Sequence, residues 1–439
     1  MTSYPPRRAE VKTSVFNKPQ SSLKESPVAL RLCNLILIGL LTVSFLFGAL
    51  NYWKRLPDIL AGYGDFVIFY TGAQIVTDGN GDQLYDLQLQ RTYHRKLGFV
   101  DRGGILPFNH PAYQLLPFLP VAHLPYGLVY VIWTTVNVLV LLFLCKLLLP
   151  VLPRGQRAIP IGVLFAFPST MMTILYGQDS IITTLLLTAA LVSFKSNYNY
   201  LAGICLGMGL YKPQLMIPFG LLLLIKRRWA SLQAFIATGL VAVAISCAMI
   251  GWNGVIGYVN LVRWMNRTHY TVSPEYMANI RGLVEGVLHM SYSAPTNLLI
   301  FALSLVLYLW CVYLWRGNWH PEQDTFNLKF AHLICTTLLI SYHLYPYDLT
   351  LLSLALILVL GYAFGGSVQT VISRVSWLSL TVIFCFPLGL HLVNEAGQVA
   401  WVSLLLILLS LTLANEIKVA NSRNHRVLDC VTLKPSDAV

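Results

Sequence analysis

The stretch Gly62-Tyr63-Gly64-Asp65-Phe66-Val67-Ile68-Phe69-Tyr70 follows the first long apolar segment and opens a loop too long to be a simple connector. Asp65 stands between a glycine and an aromatic run, which predicts the N-cap of a helix, with the carboxylate accepting from free backbone N–H groups. Apolar residues then recur at the spacing typical of a helix that lies on a membrane surface. These residues are Phe66, Phe69, Tyr70, Ala73 and Val76. Asp65 is either such a cap or a catalytic base fixed at the membrane–water boundary.

The composition excludes a soluble class. Of 439 residues, 56% are hydrophobic and only 11% are charged, whereas a soluble domain has about a quarter charged residues. The net charge of +12 could indicate a nucleic-acid partner. The basic residues cluster in tails and short loops, however, which indicates membrane topology, so no nucleic acid is expected.

The apolar segments predict an all-α, polytopic transmembrane bundle of about twelve helices with both termini inside. The predicted segments are Val28–Trp53, Tyr126–Leu149, Ile159–Tyr176 (kinked at Pro168), Ser180–Phe194, Tyr200–Tyr211, Gln214–Ile225, Leu232–Trp252, Pro295–Trp315, Asn327–Tyr342, Asp348–Phe364, Val375–Leu392 and Val399–Ala414. We expect disordered cytoplasmic residues 1–28, a transmembrane domain over 29–415 and a cytoplasmic tail over 416–439. Outer loops are expected over 54–124 and 253–294.

The first outer loop, 54–124, is expected to carry amphipathic surface helices rather than a globular domain. A second such helix is predicted from Asp86, with Leu89, Tyr93 and Leu97 on one side. Repeated prolines then break the chain between residues 107 and 120. The loop is therefore interpreted as helices and turns that lie along the bilayer surface.

The break at Lys212-Pro213-Gln214 follows from a parity argument. Lys195 before this segment and Lys226-Arg227-Arg228 after it should both be cytoplasmic. A single span between them would place the second basic group outside. Two half-length helices that meet at Pro213 resolve the conflict, because proline cannot continue the helical ladder. The alternative is one tilted, kinked helix with Lys212 extending its amine to the surface.

With this topology the unusual polar groups converge on the outer end of the bundle. They are Asp65, His110, Gln178, Asp179, Lys212, His343 and Asp348. Each alone has a structural interpretation, such as a helix cap at Asp179 or Asp348. Together they indicate function, because ionisable groups in membrane segments are costly to keep. A lysine and a histidine suit a lipid phosphate, and a carboxylate suits deprotonation of an acceptor hydroxyl.

Other chemistries have little support in the sequence. No HExxH, phosphate-cradling GxxxxGK[ST] or GxSxG motif occurs, and the eight cysteines are scattered without metal-binding spacing. Asp78, Asp82 and Asp86 could hold a divalent ion, but a solvated turn is the simpler interpretation. We therefore expect no metal site and no cofactor.

Several short motifs, taken in order, resemble glycosyltransferase family 87, the polyprenol-phosphate-mannose-dependent α-(1→2)-mannosyltransferase-like proteins of the GT-C fold. The motifs are Asp65-Phe66 with Tyr70, Leu84-Tyr85-Asp86, Asn109-His110-Pro111 with Leu116-Pro117, Tyr176-Gly177-Gln178, Lys212-Pro213-Gln214 with Arg227-Arg228-Trp229, and His343 to Asp348. The specificity lies in their order and spacing over residues 60–365. Two departures are Asn109-His110 and Tyr342, which stand where the family often carries proline.

The resemblance implies inverting transfer of a sugar from a polyprenyl-phosphate donor to a lipid-linked or glycan acceptor. It implies mannose as the sugar, with arabinofuranose as an alternative, and Asp65 as the general base. The residues expected to bind donor or acceptor are Tyr70, His110, Gln178, Lys212, Gln214, His343 and Asp348. Lys212 and His343 are the best candidates for contacts to the donor phosphate or to the acceptor. The protein is expected in a bacterial inner membrane, among membrane lipid, with its site facing the periplasm or exterior.

Two other classes stay open on the residues alone. A secondary transporter would explain the broken helix at Lys212-Pro213, since discontinuous helices mark transporter sites. No second broken helix is evident in a matching half of the sequence. A non-catalytic scaffold would tolerate replacement of the outer polar residues.

Overall fold

The computed structural model describes residues 27–62, 64–98, 106–152, 158–268, 273–317, 319–365 and 399–432. Most of the predicted N-terminal tail and the predicted span Val375–Leu392 lie outside the described residues. The described residues form helices and turns, with no strand among them. The helices are α1 (Pro27–Leu60), α2 (Phe66–Thr77), α3 (Leu87–Lys96), α4 (Tyr126–Leu148), α5 (Ile159–Ala166), α6 (Pro168–Tyr176), α7 (Ser180–Lys195), α8 (Asn199–Met208), α9 (Pro213–Ile225), α10 (Trp229–Thr268), α11 (Ala294–Leu314), α12 (Asp324–Ile340), α13 (Thr350–Gly365) and α14 (Val402–Thr432).

The predicted all-α polytopic architecture is confirmed. Four of the described helical stretches are long and apolar enough to cross a membrane: Tyr126–Val151, Trp229–Thr268, Ala294–Leu314 and Val399–Ser422. Shorter apolar helices pack among them. The last helix, α14, continues to Thr432, beyond residue 415, where the transmembrane domain was expected to end.

The helical chain breaks at two prolines, Pro168 and Pro213. Phe167 is extended, with φ −71° and ψ 123°, so α5 ends before Pro168 and α6 begins there. Lys212 is likewise non-helical, with φ −117° and ψ 73°, and separates the turn after α8 from α9. Proline fixes the start of each following helix because its missing N–H is not needed in the first turn. The predicted pair of half-helices around Pro213 is therefore confirmed over the single kinked helix.

The predicted span Leu232–Trp252 ends at a bend in α10. Instead of ending near Trp252, α10 continues to Thr268 across a kink at Gly251, where φ is 61° and ψ is −176°. Glycine adopts this backbone without a side-chain clash. The segment expected to open a loop at residue 253 is thus a second helical arm.

The first outer loop is buried more deeply than its sequence pattern predicted. In α2 the side chains of Phe66, Phe69 and Tyr70 are 0%, 1% and 3% exposed, so α2 is a core helix rather than a surface helix. Its apolar residues surround the axis, and such a helix is stable only when it is covered on all sides. By contrast, α3 is amphipathic as predicted, and the Asp86 carboxylate accepts from the Leu89 N–H at 2.8 Å to cap it.

An aromatic cluster fixes α2 against α4. The ring of Phe66 lies 5.4 Å from the rings of both Tyr126 and Tyr130, and Phe69 stacks on Phe118 at 5.5 Å. Aromatic pairs of this kind add to the stabilisation gained by burying their area. The start of α2, where Asp65 lies, is therefore held rigidly.

Close packing of small residues joins α8 to α10. A Cβ added to Gly203 would lie 2.1 Å from the Ser231 carbonyl oxygen and 2.8 Å from the Ala234 Cβ. Small residues at such contacts let membrane helices approach closely, and dispersion contacts then hold the pair together.

We predict that Gly203→Ala destabilises the protein. The extra methyl group must push α8 from α10, and overpacking of this kind costs about 1–3 kcal/mol. Thermal unfolding of the detergent-purified protein should show a clear fall in Tm. Gly39→Ala in α1 is the matched control, because nothing lies within 4 Å of the added Cβ. Equal melting of the two variants would contradict the close α8–α10 contact.

Candidate functional site

Asp65 occupies the N-cap position of α2, as predicted, but its side chain makes no capping hydrogen bond. The backbone at Asp65 is already helical, with φ −72° and ψ −18°, whereas a capping residue is normally extended. Its Oδ2 instead accepts from Gln178 Nε2 at 2.6 Å. The capping interpretation of this carboxylate is therefore wrong, and a side chain from a distant turn holds it.

Gly177 explains how Gln178 reaches Asp65. It ends α6 in the left-handed conformation, with φ 66° and ψ 30°, and a Cβ there would lie 2.7 Å from the Phe66 side chain. Glycine thus lets the α6–α7 turn rest directly on the residue that follows Asp65. The Gly177 carbonyl also accepts from Trp133 Nε1 at 2.9 Å, which fixes the turn to α4.

Lys212 lies at the centre of the site, where the chain breaks between α8 and α9. Its Nζ is 2.7 Å from Asp179 Oδ1, 2.6 Å from Asp348 Oδ1 and 2.9 Å from Ser180 Oγ. The lysine is 3% exposed. The broken helix therefore delivers one cation to two carboxylates, one at the start of α7 and one before α13.

Both carboxylates have further partners. Ser180 Oγ donates to Asp348 Oδ1 at 2.8 Å, and the Tyr345 N–H donates to Asp348 Oδ2 at 3.2 Å. Gln114 Nε2 donates to Asp179 Oδ2. Asp179 and Asp348 are thus engaged in structure, which leaves Asp65 as the carboxylate of this site without a direct cation partner.

Burial raises the pKa of Asp65 above its ordinary value. Hydrogen bonds from Gln178 and Tyr347, together with the charge of Lys212, act in the opposite direction, and the charge of Asp348 adds to the rise. A carboxylate with a raised pKa is a stronger base than an ordinary aspartate. It is also half-buried rather than enclosed, so a substrate hydroxyl can reach it.

The two predicted site histidines are neutral at pH 7. Burial lowers the pKa of His110 to about 4, and burial with the charge of Arg281 lowers the pKa of His343 to about 4. The His110 ring lies 5.8 Å from the rings of Phe69 and Phe108. Both histidines can donate or accept a hydrogen bond, but neither supplies a positive charge.

Two other predicted residues are not bonded into this cluster. The Tyr70 hydroxyl donates to the Leu124 carbonyl at 2.7 Å, and its ring packs edge-on against Tyr126 at 5.3 Å. Gln214 is half-buried in the first turn of α9. The structure thus brings together Asp65, Gln178, Lys212 and Asp348, with His110 near enough for the charges of Lys212 and Asp348 to act on it. His343 lies beside Tyr342 instead.

Sequence reasoning missed several residues of the site. Tyr345 and Tyr347 stack with ring centroids 5.2 Å apart, and Lys212 Nζ lies 5.5 Å from the Tyr347 ring centroid. Their place between His343 and Asp348 was a usable signal. Gln114 carried no signal in its proline-rich run, and Arg281 lies in the expected outer loop 253–294, which no motif linked to the site.

The acidic turn of the first outer loop has structural roles. Asp78 Oδ2 accepts from the Tyr93 hydroxyl at 2.6 Å, Asp82 is exposed, and Asp86 caps α3. Within the described ranges no group of three or more histidine, cysteine, aspartate or glutamate residues could hold a metal ion.

Comparison with known proteins gives one match. No curated protein and no solved structure matches the chain. The model of glycosyltransferase family 87 matches residues 108–341, more than half of the chain. This segment contains His110, Gln178 and Lys212, whereas Asp65 and Asp348 lie on either side of it. With its helices of membrane-spanning length, the chain belongs to glycosyltransferase family 87 and is a membrane glycosyltransferase.

Proposed function

We propose that the protein transfers mannose from a polyprenyl-phosphate donor to a lipid-linked or glycan acceptor, with inversion and with Asp65 as the general base. The observation that carries this proposal is the Asp65 carboxylate itself. It caps no helix, it is held at 2.6 Å by Gln178, and it stands beside a buried charge cluster. A carboxylate without a structural task in a glycosyltransferase is the best candidate for the base.

The direction of the helices supports an extracytoplasmic site. Helices α7 and α9 both begin at the charge cluster and end at Lys195 and Lys226. These two lysines donate to carbonyls of the α11–α12 connection, at Pro321 and Trp315. Basic groups collect on the cytoplasmic side of a membrane. Asp65 would then lie at the opposite surface, where a lipid-linked donor presents its headgroup.

The arrangement favours a single displacement. The acceptor oxygen attacks the sugar C1 while Asp65 takes the hydroxyl proton, the C1–O bond breaks, and the phosphate leaves with the electron pair. A double displacement needs a second carboxylate as nucleophile. Asp179 and Asp348 are both paired with Lys212, so neither is available for that role.

Family membership favours the transferase over the transporter and scaffold alternatives. The break in the helix at Lys212 needs no transport function to explain it, because it brings the lysine to Asp179 and Asp348. The proposal needs no metal and no cofactor.

We predict that Asp65→Asn lowers the transfer rate by about two to four orders of magnitude, because loss of a general base has that cost. The assay follows radiolabelled polyprenyl-phosphate mannose in detergent with a lipid acceptor extract. The matched control is Asp58→Asn, which alters an exposed acid near the end of α1. Near-normal turnover by folded Asp65→Asn would remove the base assignment. Transfer from an arabinosyl donor alone would correct the sugar.

We predict that Gln178→Leu moves the acid limb of kcat/KM to higher pH. The base must be ionised, so activity falls as the pH falls through the pKa of Asp65. Gln178 donates to the carboxylate and lowers that pKa, so its loss should raise the pKa of Asp65.

The pH profile of Gln178→Leu is compared with that of Gln88→Leu, which alters an exposed residue of α3. An unchanged acid limb in Gln178→Leu would show that the titrating base is another group.

A further inference from the structure

A short buried segment between α10 and α11 reaches the site from a second direction. Met277, Asn279 and Arg281 are 0%, 0% and 4% exposed, although the segment lies in a connection between helices. Asn279 Nδ2 donates to the Ser341 carbonyl at 2.6 Å, and Asn279 Oδ1 accepts from the Gly282 N–H at 2.7 Å. The segment is thus hydrogen-bonded to Ser341, the residue before the loop 342–348, and this loop carries His343 and Asp348.

Arg281 is only partly satisfied in this buried position. Its Nε donates to Glu285 Oε2 at 2.9 Å. Arg281 Nη1 and Glu285 Oε1 are both buried without a hydrogen-bond partner. Buried polar atoms are almost always paired, so an unpaired guanidinium nitrogen needs an explanation. Arg281 and Glu285 lie at a π-helical turn, Gly282–Val287, a rare element that is frequent at functional sites.

Arg281 contacts the loop 342–348, which leads to Asp348 of the charge cluster. Its guanidinium carbon is 4.5 Å from the centroid of the Tyr342 ring. Burial raises the pKa of Tyr345, and the charges of Asp65, Lys212 and Arg281 also act on it. The loop that contacts Arg281 through Tyr342 therefore also carries Tyr345 and Asp348, which are bonded to each other in the charge cluster.

The other basic groups of the site are poorly suited to bind an anion. Lys212 is held between two carboxylates, and His110 and His343 are neutral at pH 7. The charges of Arg55 and Asp65 both act on Tyr176, but the Arg55 side chain is exposed to solvent. Only Arg281, among these groups of the described chain, combines burial with an unpaired N–H.

We propose that Arg281 binds the phosphate of the isoprenyl-phosphate donor through Nη1, with Glu285 holding the guanidinium in place. This inference rests on the proposed function. A guanidinium gives short, charge-assisted hydrogen bonds to phosphate oxygens. When the C1–O bond breaks, the phosphate keeps the electron pair, and Arg281 stabilises the added negative charge. Asp65 acts on the acceptor side of the same sugar.

The test separates phosphate recognition from catalysis by using ligands that carry no sugar. A C15 isoprenyl monophosphate and the matching alcohol are titrated against the full-length protein in detergent. We expect Arg281→Gln to bind the monophosphate about 10- to 100-fold more weakly, the range for a hydrogen bond to a charged group. Binding of the alcohol should not change. Arg281→Lys should recover only part of the affinity, because lysine lacks the planar fork.

A matched variant removes the structural explanation. Arg281→Gln leaves Glu285 buried without its cation, which could unfold the site. The double variant Arg281→Gln/Glu285→Gln removes both charges, and it should fold yet still bind the monophosphate weakly. Wild-type affinity for the monophosphate in the double variant would overturn the proposal. A result in which Arg55→Gln loses that affinity while Arg281→Gln keeps it would also overturn the proposal.

Failure of this inference can be told from failure of the proposed function. If wild type bound monophosphate and alcohol equally, the polyprenyl-phosphate donor would be wrong, and Arg281 would lose its role with it. If Asp65→Asn kept its activity while Arg281→Gln lost phosphate affinity, only the base would be wrong. Arg281 would then stand as the phosphate-binding residue.

Discussion

The structure depends on one buried cation shared by two carboxylates. Lys212 lies 2.7 Å from Asp179 and 2.6 Å from Asp348, with only 3% of its surface exposed. Each of the three residues comes from a place where a helix starts or breaks. Burying these charges is costly unless all are paired. The pairing therefore requires the α6–α7 turn, the α8–α9 break and the segment before α13 to meet at one point.

That meeting point determines where the base can act. Once the α6–α7 turn is fixed, Gly177 packs on Phe66 and Gln178 holds the Asp65 carboxylate. We therefore propose that the charge cluster supports the reacting group, Asp65, and does not itself react. In the proposed site, the charges of the base Asp65 and of the phosphate-binding Arg281 both act on Tyr345.

The sequence predicted the helices and their breaks better than the residues that pack around them. The breaks at Pro168 and Pro213 could be predicted from the positions of the prolines, because the missing N–H of proline interrupts the hydrogen bonding of a helix at that residue. Burial of α2 could not be predicted, since an apolar face fits lipid and protein equally well. The partners of Lys212 depend on which helix ends meet, and that is a property of the whole chain. Arg281 could not be predicted for the same reason, because the aromatic ring that it contacts, Tyr342, lies some 60 residues further along the chain.

We infer that Lys212 supports the site rather than binding substrate, and two Lys212 variants test this role. Lys212→Met should unfold or lose transfer, because it leaves Asp179 and Asp348 as buried, unpaired charges, at a cost of about 3–5 kcal/mol. Lys212→Met with Asp179→Asn and Asp348→Asn removes all three charges, and thermal unfolding should show much of the lost stability restored. If Lys212→Met instead melted like wild type and lost only its affinity for the isoprenyl monophosphate, Lys212 would be a substrate ligand and its supporting role would be refuted.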